Sequence, residues 1–94
     1  MINKTIEKIE ASIRKMDHVD PRKKEEVSRL LATLKTEIEA LSKTHQDRAE
    51  NITAHLGSLS SKGLSASVEG FEASHPKLVQ TINDFCNLLS GIGI

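Results

Sequence analysis

The sequence predicts an all-α protein: an antiparallel helical hairpin, followed by a C-terminal helical segment that is bent or broken at Pro76. Three observations lead to this prediction. Apolar residues recur at alternating steps of three and four, the period of one face of an α-helix. Runs that alternate apolar and polar residues are too short to indicate a strand. Pro76 stands inside an apolar helical pattern, where a proline starts, ends or kinks a helix.

The first predicted helix covers residues 3–17. Its apolar residues form one narrow stripe at steps of four, three, four and three: Ile2, Ile6, Ile9, Ile13 and Met16. Charged residues fill most of the other positions, as expected for a helix that buries one face.

A second helix is predicted over residues 20–56. Asp20 is a natural N-cap, and Pro21 suits the first helical position because the N–H group that proline lacks is not needed there. A second stripe repeats the steps of the first: Val27, Leu31, Leu34, Ile38 and Leu41. Two stripes joined by a short turn predict an antiparallel hairpin with coiled-coil-like packing.

Beyond Leu41 the pattern allows two registers. Strict continuation gives one seam, and an added step of four gives another: His45, Arg48, Ile52 and His55, or His45, Ala49, Ile52, Leu56 and Leu59. No glycine or proline lies between Pro21 and Gly57, so a largely continuous helix is favoured over a break near residues 42–47. At about 54 Å it would be too long for a compact monomer. His45 and His55 are interpreted as polar, partly exposed residues that control register, or as a pH-dependent contact in a dimer.

The C-terminal part is predicted to contain a loop and two further helices. Residues 57–63 are rich in glycine and serine, which indicates a loop. Helices are expected over residues 64–74 and 76–90, with Gly91 or Gly93 ending the last one. Phe71, His75 and Pro76 form the structural corner between these helices. Pro76 either stands in the first turn of a new helix, capped by residue 74 or 75, or kinks a continuous one.

Composition indicates one small domain, residues 1–94, that associates with itself. Only two of the 94 residues are aromatic, Phe71 and Phe85, so the core must be built from leucine, isoleucine and valine. Residues 1–45 carry ten Lys/Arg and eight Asp/Glu, whereas residues 46–94 carry three and five. A small chain with narrow apolar stripes and a charge-poor second half predicts a symmetric homodimer.

Catalytic residues, cofactors and metals are not expected, and neither is enzymatic activity. Glu72 and His75 have the Glu-x-x-His spacing of metal-binding helical bundles, but such sites need further carboxylates. Cys86 lies among apolar residues and is predicted to be buried. It is the only cysteine, so no intramolecular disulfide can form.

Five basic residues near the first turn form a possible surface for an acidic protein partner: Arg14, Lys15, Arg22, Lys23 and Lys24. Acidic neighbours oppose this charge, the formal net charge is zero, and stacking aromatics are lacking, so nucleic acid is not the expected partner. The first residues lack the apolar core of a signal peptide, and no apolar run is long enough for a membrane span. A cytoplasmic protein that does not enter a membrane is therefore expected.

The segment FEASHPKLVQTINDFCNLLSGIGI, from residue 71 to residue 94, resembles the C-terminal signature of an uncharacterised bacterial family, domain of unknown function 4404. The matching positions are Phe71, Glu72, His75, Pro76, Leu78, Leu89, Gly93 and Ile94. Ile92 stands where methionine is expected, and residues 43–62 have no specific match. The resemblance implies a short helical fold and no known activity. The predicted role is a non-enzymatic, self-associating interaction or scaffold protein. The alternative is a small regulator that binds an acidic partner or nucleic acid through the basic surface at residues 14–24.

Overall fold

Five helices make up the secondary structure of the computed structural model, which describes residues 2–93. They are α1 (Ile2–Arg14), α2 (Pro21–Ser42), α3 (Gln46–Gly57), α4 (Ser61–Ser67) and α5 (Pro76–Gly91). No strand occurs within these described residues, so the all-α prediction is confirmed.

Helices α1 and α2 pack against one another. The start of α1 meets the end of α2 in a groove that Ile2 and Ile38 both line. At the other end, the Lys24 ammonium donates a hydrogen bond to the carbonyl of Arg14 at 3.0 Å. The Asp20 carboxylate accepts from the backbone N–H of Arg22 at 2.9 Å, which makes Asp20 the N-cap that the sequence predicts. Helix α1 ends at Arg14 rather than near residue 17, and the turn that follows buries Val19.

The expectation of one continuous helix over residues 20–56 is wrong, because α2 ends at Ser42 and α3 begins at Gln46. The Leu41 carbonyl accepts from the N–H groups of Thr44 and His45, at 3.1 and 2.8 Å, and from the Thr44 hydroxyl at 3.4 Å. Such local side-chain bonds compete with helix continuation. The break turns the chain so that α3 folds back toward the core.

Of the two registers beyond Leu41, the one with the added step of four matches the burial in α3. Ala49, Ile52 and Leu56 are buried, whereas Arg48 is exposed. The added step results from the break between helices and not from a stutter within one helix. His45 is exposed and His55 is half-buried.

Pro76 starts a helix and does not kink one. It is the first residue of α5, and the carbonyl of His75 accepts from the N–H of Val79 at 3.3 Å. The imidazole of His75 caps no N–H group, so the expectation of a side-chain cap there is not met. Helix α4 ends at Ser67, before the predicted residue 74, because residues 68–74 form turns. Gly93, at φ +87°, follows the last helix, as predicted.

The core is closed within a single chain. Helix α2 packs against α1, α3 and α5, and α4 packs against α3 and α5. The buried apolar residues come from every helix, and the largest fully buried side chain is that of Phe85. The Cα radius of gyration is 12.5 Å, close to the about 12 Å expected for a compact chain of this length. The longest dimension is 39 Å, so the length argument for a dimer no longer holds.

Candidate functional site

Two interhelix turns meet around the side chain of Phe71. The turn between α2 and α3 contributes His45, α3 contributes Arg48, and the turn before α5 contributes His75. The rings of His45 and His75 each lie 5.5 Å from the Phe71 ring, centroid to centroid, and 6.5 Å from one another. The Arg48 guanidinium carbon lies 4.4 Å above the same phenyl ring. We call these four residues the histidine corner.

Arg48 connects two parts of the chain that are distant in sequence. Its Nη2 atom donates to the carbonyls of Ser67 and Glu69, at 3.1 and 2.9 Å. The Ser67 carbonyl lies at the C-terminal end of α4, where helix carbonyls lack partners within the helix. The guanidinium adds a cation–π contact with Phe71. Arg48 therefore holds α3 against the turn that follows α4.

His45 and His75 occupy equivalent positions at the starts of α3 and α5. Their backbone angles are nearly the same, with φ/ψ of −137°/66° and −136°/62°. Neither imidazole caps its helix, and both rings contact Phe71 instead. The backbone N–H of His75 donates to the Phe71 carbonyl at 2.7 Å, which holds the backbones of the two residues close together. This arrangement is suited to packing two helix starts together.

The spacing of Glu72 and His75 does not produce a shared helix face, since both residues lie in turns before α5. The Glu72 carboxylate accepts from the N–H of Gly70, whose φ of +91° favours glycine. Within residues 2–93, no group of three or more His, Cys, Asp or Glu side chains lies close enough to hold a metal ion.

Among the five predicted basic residues, the neighbours Lys23 and Lys24 lie toward different helices. Lys24 reaches the end of α1, and Arg14 forms a 4.0 Å ion pair with Glu10. Lys23 instead lines a groove between α2 and α5, together with Glu26 and Asp84. Lys15 and Arg22 are exposed.

The thiol of Cys86 is half-buried between α5 and α4, rather than fully buried as predicted. Its Sγ atom lies 3.6 Å from the Ser61 carbonyl and 4.0 Å from the Ser65 hydroxyl.

Helix α5 exposes a surface that is poor in charge. Two of its eight exposed residues are charged, compared with five of the ten exposed residues of α2. We call the following exposed residues the α5 outer face: Lys77, Gln80, Asn83, Asp84, Asn87 and Ser90. Leu88 is half-buried at the edge of this face, on the side of α2. Within the described part of the chain, no helix has the length and apolar character needed to cross a membrane.

The family model described as domain of unknown function (DUF4404) matches residues 2–94. The chain belongs to the DUF4404 family. Comparison with curated proteins and with solved structures gave no match.

In this DUF4404 chain, two of the eight residues that carry the family resemblance, Phe71 and His75, belong to the histidine corner. Phe71 is the centre of the corner, His75 is one of its rings, and Pro76 starts the helix that leaves it. Leu78 and Leu89 are buried on the inner face of α5. Ile94, the last matching position, lies outside the described residues.

The sequence of this DUF4404 chain did not predict the roles of Arg48 and His45 in the histidine corner. One signal was present, because the register with the added step of four leaves Arg48 off the apolar seam. An arginine displaced from the seam beside a turn is available to bind helix-end carbonyls.

Proposed function

We propose that this DUF4404 protein is a non-enzymatic helical interaction protein that associates with itself as a dimer. The observation that carries the proposal is the α5 outer face, which exposes amides and a hydroxyl where α2 exposes charges. Protein interfaces are depleted in charged side chains at their centre. Removing amides and hydroxyls from water is also less costly than removing ions. The α5 outer face is thus better suited to burial against a partner than the exposed face of α2.

The dimer proposed here forms between folded chains. The apolar stripes of α1, α2 and α3 are buried within one chain, so folding does not require a second copy. Association of this kind is concentration-dependent and involves preformed surfaces.

Sedimentation equilibrium over a wide range of protein concentrations tests the proposal. We expect a reversible change from the mass of one chain to that of two as the concentration rises. A single-chain mass at every concentration contradicts self-association.

The alternative function is binding of an acidic partner or a nucleic acid through the basic surface at residues 14–24. One observation favours it: the hydrogen bond from Lys24 to the Arg14 carbonyl gathers Arg14, Lys15 and Lys24 at one end of the hairpin. Retention on an anionic column that falls steeply between about 50 and 200 mM salt supports this role. Lys24→Ala should reduce the retention more than Lys62→Ala on α4, and equal retention contradicts the role.

A further inference from the structure

The two charged residues of α5 have opposite signs and lie on the same side of the helix. Lys77 and Asp84 are seven residues apart, which is two helical turns, about 10.5 Å along the axis and within roughly 20° around it. Both are exposed. Within residues 2–93 neither side chain forms an ion pair, and the one ion pair described there joins Arg14 and Glu10. This leaves both charges available to a partner.

We propose that α5 packs antiparallel against α5 of a second copy, with Lys77 of each chain facing Asp84 of the other. The proposal rests on the self-association proposed above and assigns its surface. In a twofold dimer, if residue 77 of the first chain contacts residue 84 of the second, then residue 84 of the first chain also contacts residue 77 of the second. A twofold axis that passes midway between residues 80 and 81 places Lys77 of each chain opposite Asp84 of the other. The two ion pairs are then equivalent by symmetry.

The orientation follows from the charges. Parallel packing of two α5 helices in register would place lysine against lysine and aspartate against aspartate, which is unfavourable in both pairs. Antiparallel packing turns both contacts into attraction. The second copy is therefore a partner whose charge pattern complements α5.

The rest of the surface suits the same occupant. Gln80, Asn83 and Asn87 carry amides that both donate and accept hydrogen bonds, so identical surfaces can pair. Leu88 adds half-buried apolar area beside Asp84. Lys23 and Glu26 of α2 border the groove with opposite charges.

Charge exchange tests this pairing by sedimentation. We expect Lys77→Glu and Asp84→Lys each to weaken the dimer by about tenfold, because two attractive pairs become two repulsive ones. The double variant K77E/D84K should restore wild-type association, since it reverses both partners and leaves the net charge unchanged. An equal mixture of the two single variants should form mixed dimers.

A matched control separates specific pairing from general attraction between oppositely charged chains. Lys8→Glu and Glu7→Lys change the same charges on the exposed side of α1, and neither should alter association. Circular dichroism verifies that each variant is folded, and Asp84→Asn with Lys77→Gln replaces any charge-exchange variant that is not.

The outcomes distinguish the two proposals. A wild-type chain that stays monomeric overturns the proposed function and this surface together. A wild-type dimer that the single exchanges leave unchanged, or that the double variant fails to restore, overturns only the α5 pairing.

Discussion

At the scale of single residues, Arg48 has the most connected side chain described in this protein. One guanidinium nitrogen binds two carbonyls, and the guanidinium plane covers the Phe71 ring. Phe71 is 6% exposed, and the arginine together with two imidazoles shields it from water. The histidine corner thus combines hydrogen bonds, a cation–π contact and ring contacts around the one phenyl side chain.

Arg48→Ala should therefore destabilise the fold. We expect a loss of about 1–2 kcal/mol in the free energy of unfolding, because two carbonyls lose their donor and the cation–π contact disappears. Urea denaturation measures this change. Arg29→Ala on the exposed side of α2 is the control, since arginine and alanine have similar helix propensities. Equal midpoints for the two variants would show that the corner contributes nothing to stability.

At the scale of helices, the boundaries follow from local chemistry in some places and from distant contacts in others. Asp20 and Pro21 start α2, and Pro76 starts α5, where their backbone preferences place helix starts. The end of α2 has no glycine or proline. There the Thr44 hydroxyl and two N–H groups converge on the Leu41 carbonyl.

Asp20→Ala is expected to lower the free energy of unfolding by about 1 kcal/mol, since the Arg22 N–H loses its acceptor. Asp20→Asn keeps a side-chain oxygen at this position and should retain most of the stability. Asp17→Ala, in the exposed turn before the cap, serves as the control in thermal denaturation. A loss at Asp17 as large as that at Asp20 would argue against capping as the cause.

At the scale of the whole molecule, one chain completes its own core. Leu31, Leu34 and Leu41 of α2 are fully buried, and α1, α3 and α5 cover them. A partner is thus not needed to exclude water from the apolar stripes. Any dimer must form through outer surfaces such as that of α5.

The Lys77→Glu chain should consequently stay folded as a monomer. We expect its helical circular dichroism to match that of the wild-type chain, because residue 77 is exposed and contributes nothing to the core. Its unfolding temperature should be no lower than that of the wild-type chain at concentrations low enough to dissociate the proposed dimer, since a negative charge in the first turn of α5 is favourable. Loss of helicity on dissociation would show that the core depends on the second copy.

Much of the fold could be predicted from the sequence because helical periodicity is a local property. Most positions that the steps of three and four indicate in α1 and α2 are buried, including Ile9, Ile13 and Val27, whereas Ile2 and Met16 at the ends of the first stripe are half-buried. The N-cap at Asp20 and the start of α5 at Pro76 follow from the local preferences of these residues. Family membership agrees with the resemblance around Phe71 and His75.

By itself, the sequence determined the all-α class, the inner faces of α1 and α2, and the family. Only the tertiary structure decided the break at residues 43–45 and the histidine corner. Arg48 bonds to carbonyls 19 and 21 residues further along the chain, and periodicity carries no information about such distant partners. Helix α2 ends at Ser42 although no glycine or proline follows there. The chain then folds back so that α3 buries Ala49, Ile52 and Leu56, and this burial outweighs the local preference for a continuous helix.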